Sequence, residues 1–378
     1  MSQVQVSPLA DSSTRLQQEI ESKRRQIRTD GYPMSISEWI SMYDANELDI
    51  HPEFQRFFRW EIAQKTALIE SILLGIPIPP IFVSQRADGV WDVIDGVQRL
   101  STVFQFIGIL KDVEGKFVDA LALNRTNYLP SLGGIMWNSQ VQEECLPPDL
   151  KLIFKRTKIQ ASIVLRESDD STKYDLFERL NTGGSQLSAQ EVRNCVLVML
   201  NPSMYRWIKS LAKHESFVRC TALSDSAIAE AYDLELVLRF LVLARIDESE
   251  LKNVGDVGIF LSEKMKAMAV DETFERTEFE EIFTQTFDLL LRTMESDAFK
   301  RFNPQKNQHQ GGFLVSQFEV VALGVGYNFP NLKPEVEIPA LVASIWTNAD
   351  YTEWSRSGIT ATRRLPRLIP LGRKLFAL

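Results

Sequence analysis

Across residues 93–102 the hydrophobic period of this chain changes from two to 3.6, with an Asp-Gly pair at the change. Trp91, Val93 and Ile94, with polar Asp92 between them, read as a strand that ends at Asp95-Gly96. Leu100, Val103, Phe104 and Ile107 then recur on one face of a helix. Gln98 and Arg99 therefore fall in that helix's first turn. The helix dipole is already positive there, so an arginine is not placed for local stability. An anion docked on the free N–H groups of the turn would account for it. An ordinary Asp-Gly turn beside a solvated arginine is the alternative.

The rest of the chain divides by the same criterion. A polar leader precedes a charged helix over residues 13–28, whose apolar positions are too sparse for a core. From Ile36 to about Ile109 the pattern mixes α and β. Residues 65–74 form an amphipathic helix stopped by Gly75 and Pro77. Strands follow at 81–84 and 90–94 around an Ala87-Asp88-Gly89 turn, and another lies at 158–165 beyond a loop-rich insertion, 115–148. After Asp170 nearly everything is helical: one helix carries Phe177 and Leu180, the next Val192, Cys195, Val196 and Met199. Further helices are expected over 229–246, 257–269, 274–295, 315–324 and 338–346.

Composition narrows the class. The 378 residues are 44% hydrophobic and carry a net charge of −8, so a large core is available and no global basic field points to nucleic acid. Three cysteines, Cys145, Cys195 and Cys220, lack metal or disulfide spacing, which suits a reducing, cytoplasmic setting. The most apolar run, 234–244, is too short to span a bilayer and contains Glu235 and Arg239, so no membrane role is expected. Arg239 is a charge inside an apolar helix and should pair with Asp233 or Glu235. The last 24 residues hold Arg356, Arg363, Arg364, Arg367, Arg373 and Lys374 without an acid. They read as a helix end with a solvated tail, or as a nucleic-acid patch.

Three segments could carry chemistry. Gln55, Arg56, Arg59 and Trp60 sit among Phe54, Phe57 and Phe58, a mix that grips phosphate and stacks a base, or that covers a core edge. In the strand–turn–helix, Asp95 could hold Mg²⁺ or polarise water, Gln98 could orient that water, and Arg99 could neutralise a phosphoryl group. In the third, Asn181, Thr182, Gly183 and Gly184 form a helix-to-helix loop, and Ser188 with Glu191 makes a capping box. That cap leaves Thr182, Gly184 and Arg193 unexplained, and a Gly-Gly loop can also cradle an anion. No P-loop, nucleophile elbow or metal-binding histidine pattern is present among His51, His214 and His309.

Taken in order, these segments resemble the GmrSD-type restriction endonuclease N-terminal domain family, within the ParB/sulfiredoxin-like nucleotide-binding folds. Four motifs carry the resemblance over residues 35–200: Phe54-Gln55-Arg56 with Trp60; residues 68–79, reading LIESILLGIPIP; residues 94–100, reading IDGVQRL; and residues 177–184, reading FERLNTGG. The resemblance implies an α+β fold. A polar helical leader over 1–30 would precede a small mixed sheet with helices over 31–170. A mostly helical domain over 171–378 would supply its first two helices to a nucleotide site. It implies Asp95, Gln98 and Arg99 as catalytic residues. Gln55, Arg56, Trp60, Gly96, Asn181, Thr182, Gly183, Gly184 and Arg193 would contact a nucleoside triphosphate bound with Mg²⁺. It further implies an NTP-binding and NTP-hydrolysing sensor subunit of an anti-phage restriction system, working on modified DNA with a separately encoded nuclease or effector. A homo-oligomer fits the same picture. Two departures qualify it. The family's commonest form has glutamine where this chain has Val97, which weakens hydrolysis relative to binding. The region after residue 200 lacks the histidine setting of an HNH nuclease. A ParB-like DNA-binding module without turnover, and a nuclease working through Asp95 itself, are the competing readings.

Overall fold

The computed structural model describes residues 15–17, 20, 29–50, 60–86, 88–112, 114–165, 188–332 and 337–377. It separates into two compact units, Met1–Gln186 and Leu187–Leu378. Residues 15–17 and 20 of the leader are helical.

The first unit is built from β1 (Thr29–Ser35), α1 (Ile36–Asp44), β2 (Leu48–Asp49), α2 (Ile62–Leu74), β3 (Ile81–Gln85), β4 (Trp91–Asp95), α3 (Val97–Ile107), α4 (Pro148–Arg156) and β5 (Lys158–Val164). The strands form one mixed sheet in the order β1-β5-β3-β4-β2. β3 runs antiparallel to β4 and parallel to β5, while β1 and β5 are antiparallel. β4 is covered on both faces, with Trp91, Asp92, Val93 and Ile94 all buried, which explains why its sequence departs from strict alternation. Leu100, Val103 and Phe104 of α3 enter the same core, where the Phe104 ring stacks on Tyr43 at 4.5 Å. α2 ends as expected: Gly75 adopts φ 71° and closes the helix with left-handed geometry.

β1 is the strand that pattern reading does not anticipate. Its sequence, TDGYPMS, contains both Gly31 and Pro33, and five of its seven residues are exposed. It survives because it lies at the sheet edge, where a proline's missing donor costs little. Gly31 is needed there, since a Cβ would come within 2.7 Å of the Ala161 carbonyl oxygen.

Among its described residues the second unit is helical apart from one hairpin. Its elements are α5 (Ala189–Leu200), α6 (Pro202–Ala212), α7 (Glu215–Thr221), α8 (Asp225–Ala229), α9 (Tyr232–Leu243), α10 (Glu248–Leu251), α11 (Val257–Val270) and α12 (Arg276–Met294). The hairpin β6 (Arg301–Asn303) and β7 (Gln308–Gln310) follows, then α13 (Val315–Asn328), α14 (Ile338–Ile345), α15 (Ala349–Trp354) and α16 (Ala361–Leu375). Phe217, Phe240, Phe283 and Phe287 pack edge-on and tilted at 4.6–5.7 Å between centroids. The Ser188–Glu191 capping box forms, with Glu191 Oε2 accepting from the Ser188 N–H at 2.6 Å. Cys195 is a fully buried core residue, and burial pushes its thiol well up.

The C-terminal stretch differs from its sequence reading. It is a 15-residue helix, α16, rather than a solvated tail, despite Pro366 and Pro370 within it. Leu365, Leu368, Ile369 and Phe376 are buried. Two of its arginines turn inward: Arg364 binds Glu319 through Nε at 2.6 Å and Nη2 at 2.9 Å. Arg373 Nη2 donates to the Ala244 and Ile246 carbonyls at 3.1 and 2.6 Å. Among the described residues no helix is long and apolar enough to cross a membrane.

Candidate functional site

The Asp95–Arg99 segment is where the sheet hands over to α3, and the backbone there is tightly determined. Gly96, the residue before the helix, sits at φ 98°. A Cβ at this position would meet Ile81 Cδ1 at 2.4 Å and Arg99 Nη2 at 3.3 Å, so glycine is required on both counts. No side chain caps α3. The N–H groups of Val97, Gln98 and Arg99 thus open the helix without a side-chain acceptor.

Arg99 does not project into solvent. Its Nη1 donates to the Pro79 carbonyl at 2.6 Å and the Pro80 carbonyl at 3.0 Å, and its Nη2 to Asp95 Oδ2 at 2.7 Å. The guanidinium is 12% exposed and the carboxylate 31%. This geometry explains how an arginine is tolerated at a positive helix end. Its charge leans back over the strand ends, where two carbonyl dipoles and one carboxylate offset it. The same contacts join two sequence motifs in space, because Pro79 and Pro80 end the LLGIPIPP segment. A guanidinium has five N–H donors, and these bonds occupy three.

Gln98 faces the other way. It is 8% exposed, and its Oε1 accepts the Trp60 backbone N–H at 3.2 Å. That bond fixes the Trp60 backbone next to the same turn. Trp60 itself is half-buried. Val97 is 2% exposed and belongs to the core rather than to an open site. Nearby, Lys65 reaches Gln105 at 2.8 Å, and burial holds its ammonium below the usual lysine range.

The structure thus brings Asp95, Gly96, Gln98, Arg99 and Trp60 together. Gln55 and Arg56, and the loop of Asn181, Thr182, Gly183 and Gly184, lie outside the described residues. Arg193 belongs to the second unit, where it is 3% exposed and donates to Gln190 and Glu235, both at 2.7 Å. Pro79 and Pro80 are contributors that sequence reading missed. Their role is carried by main-chain carbonyls, which leave no side-chain signature.

Among the described residues no group of three or more His, Cys, Asp and Glu could hold a metal ion. At the turn, Asp95 keeps Oδ1 once Oδ2 is given to Arg99. That suits a Mg²⁺ arriving on phosphate oxygens and waters rather than one caged by protein. His214 pairs with Asp288 at 2.8 Å, and the His309 ring packs tilted against Phe302 at 5.0 Å between centroids.

Residues 36–198 match the family of GmrSD restriction endonuclease N-terminal domains. The match begins at the first residue of α1, ends within α5, and contains the whole Asp95–Arg99 turn. No curated protein and no solved structure matches the chain at a significant level.

Proposed function

We propose, from the premise that residues 36–198 are a GmrSD-type restriction endonuclease N-terminal domain, that this domain binds a nucleoside triphosphate at the Asp95–Arg99 turn. The observation that carries the reading is the Arg99 guanidinium, fixed by two proline carbonyls beside an uncapped helix N-terminus. A phosphate there would meet the backbone N–H groups of α3 and the two remaining donors of Arg99. It could also displace Asp95 from Nη2 while the Pro79 and Pro80 bonds keep the guanidinium in place. Mg²⁺ bound with the nucleotide would supply charge neutralisation and template the phosphates, with Asp95 Oδ1 as its protein ligand. On this reading Gln55, Arg56 and residues 181–184 would line the walls of the same site.

Binding is favoured over turnover for a specific reason. Gln98, the residue expected to orient a water, has its Oε1 committed to the Trp60 N–H. Val97, at a position where the family's commonest form has glutamine, is buried in the core. The molecule is accordingly read as a nucleotide-responsive regulatory subunit of a restriction system acting on modified DNA, with the nuclease activity in a separately encoded effector.

The test is a thermal-shift titration with each of the four NTPs and Mg²⁺. Nucleotide at 100 times Kd should add about 2.7 kcal/mol of stability, and Arg99→Ala should remove the shift. No shift with any NTP on the wild-type protein refutes the reading. A parallel hydrolysis assay, with and without modified DNA, separates binding from turnover.

A further inference from the structure

Among the described residues of the second unit, β6–β7 is the β-hairpin set among helices. Between Asp297 and Glu319 the chain has no acidic residue, yet it carries Lys300, Arg301 and Lys306 and a run of Asn and Gln. This local excess of positive charge stands in a chain of net charge −8. Unlike α16, whose Arg364 and Arg373 are spent inside the unit, the hairpin keeps most of its polar side chains exposed. Arg301, Lys306, Gln308 and Gln310 are all exposed.

The strand register sorts these side chains by face. Phe302 pairs with His309, and their rings pack on one side at 5.0 Å between centroids. Arg301 pairs with Gln310 and Asn303 with Gln308, so these four share the opposite face. Asn303 also braces the turn, its Oδ1 accepting from the Gln305 and Lys306 N–H groups at 3.0 and 3.2 Å. Asn307 at the tip has φ 49°, a left-handed conformation that asparagine tolerates. Arg301 rests 5.9 Å from the Trp346 ring, a contact that uses its charge rather than its N–H donors. Lys300 is the charge kept at home, bound to Asp297 at 2.9 Å.

We infer that this hairpin is a duplex-DNA contact, inserted as a two-stranded ribbon with its Arg301/Gln308/Gln310 face toward base edges and Lys306 on a phosphate. A two-stranded ribbon fits the B-form major groove, and arginine and glutamine are the side chains that read guanine and adenine there bidentately. A-form duplex RNA keeps its major groove too deep and narrow for such a ribbon. The inference is independent of the nucleotide reading, since every residue in it belongs to the second unit.

The experiment uses the full chain and a short fluorescent DNA duplex, followed by anisotropy across a salt series. Wild-type affinity should fall steeply with salt. Lys306→Glu combined with Gln308→Ala should weaken binding about tenfold and flatten the salt slope by about one. The melting temperature and the nucleotide-induced shift should both stay at wild-type values, which separates failure here from failure of the nucleotide reading. Equal affinity of wild type and double variant, equal affinity for duplex RNA of the same sequence, or salt-insensitive binding each overturns the inference.

Discussion

At the scale of single residues, Arg99 is held by three acceptors supplied from two segments, and its shape matters as much as its charge. Lysine cannot span two carbonyls and a carboxylate as a planar fork does. Arg99→Lys should therefore retain part of the nucleotide-induced thermal shift, while Arg99→Ala should abolish it and also lower the basal melting temperature. Gly96→Ala should cost about 1–3 kcal/mol from positive-φ strain, read as a loss of unfolding free energy in urea. A third residue-scale prediction concerns acid stability. Burial alone would raise the Asp288 pKa, but hydrogen bonds from Ser216 and His214 outweigh it and hold the carboxyl below its ordinary value of 3.8. The stability this adds is complete above the ordinary value and fades as pH falls through the depressed one. Asp288→Asn should flatten the acid limb of a melting-temperature profile.

Among elements, the crossing of α13 and α16 is the most exacting contact. A Cβ on Gly372 would lie 2.2 Å from the Val320 carbonyl oxygen, and one on Gly324 would lie 2.6 Å from Gly372 backbone. Neither obstacle is a flexible side chain, so the helix backbones themselves would have to separate. Gly372→Ala should destabilise by about 3 kcal/mol or more, measurable as a drop in the urea midpoint without a change in slope. The closeness also explains how a helix with two internal prolines persists. Packing along its buried Leu365, Leu368 and Ile369 face compensates for the backbone bonds that Pro366 and Pro370 cannot make. Sequence rules treat proline as a helix stop, and for that reason α16 is invisible to them. The helices with clean periodicity, α9, α11 and α12, are legible within a few residues of their ends.

For the whole molecule, the second unit is organised around an ion-pair chain that runs through four helices. Arg193 of α5 binds Glu235 of α9 at 2.7 Å, and Arg239 shares that glutamate at 2.9 Å. Arg239 reaches Glu319 of α13 at 3.4 Å, and Glu319 also takes Arg364 of α16 at 2.6 Å. Glu319 is fully buried, and its hydrogen bonds raise the Arg364 pKa. Removing its charge strands Arg364 and leaves Arg239 with Glu235 alone, so Glu319→Gln should cost about 3–5 kcal/mol and broaden the unfolding transition of the helical unit. Part of this chain is foreseeable: an arginine within the apolar run of α9 requires a carboxylate, and Glu235 lies four residues away. Glu319, eighty residues on, leaves no local trace.

The sequence by itself determined the mixed N-terminal architecture, the helical C-terminal one and the Asp95-Gly96 switch between strand and helix. These follow from hydrophobic period, caps and glycine conformation, all of which act within a few residues. It also determined the family motifs, four short signatures in a fixed order. Tertiary structure decided what most of the charges do, the local Arg239–Glu235 pair apart. Arg99 is bound to carbonyls twenty residues upstream, Gln98 to a backbone N–H 38 residues upstream, and Arg373 to carbonyls about 130 residues upstream. An arginine on the page is only a long cation. Which acceptors surround it depends on segments that meet after folding, and that meeting separates the inward-turned α16 from the outward-facing β6–β7 hairpin.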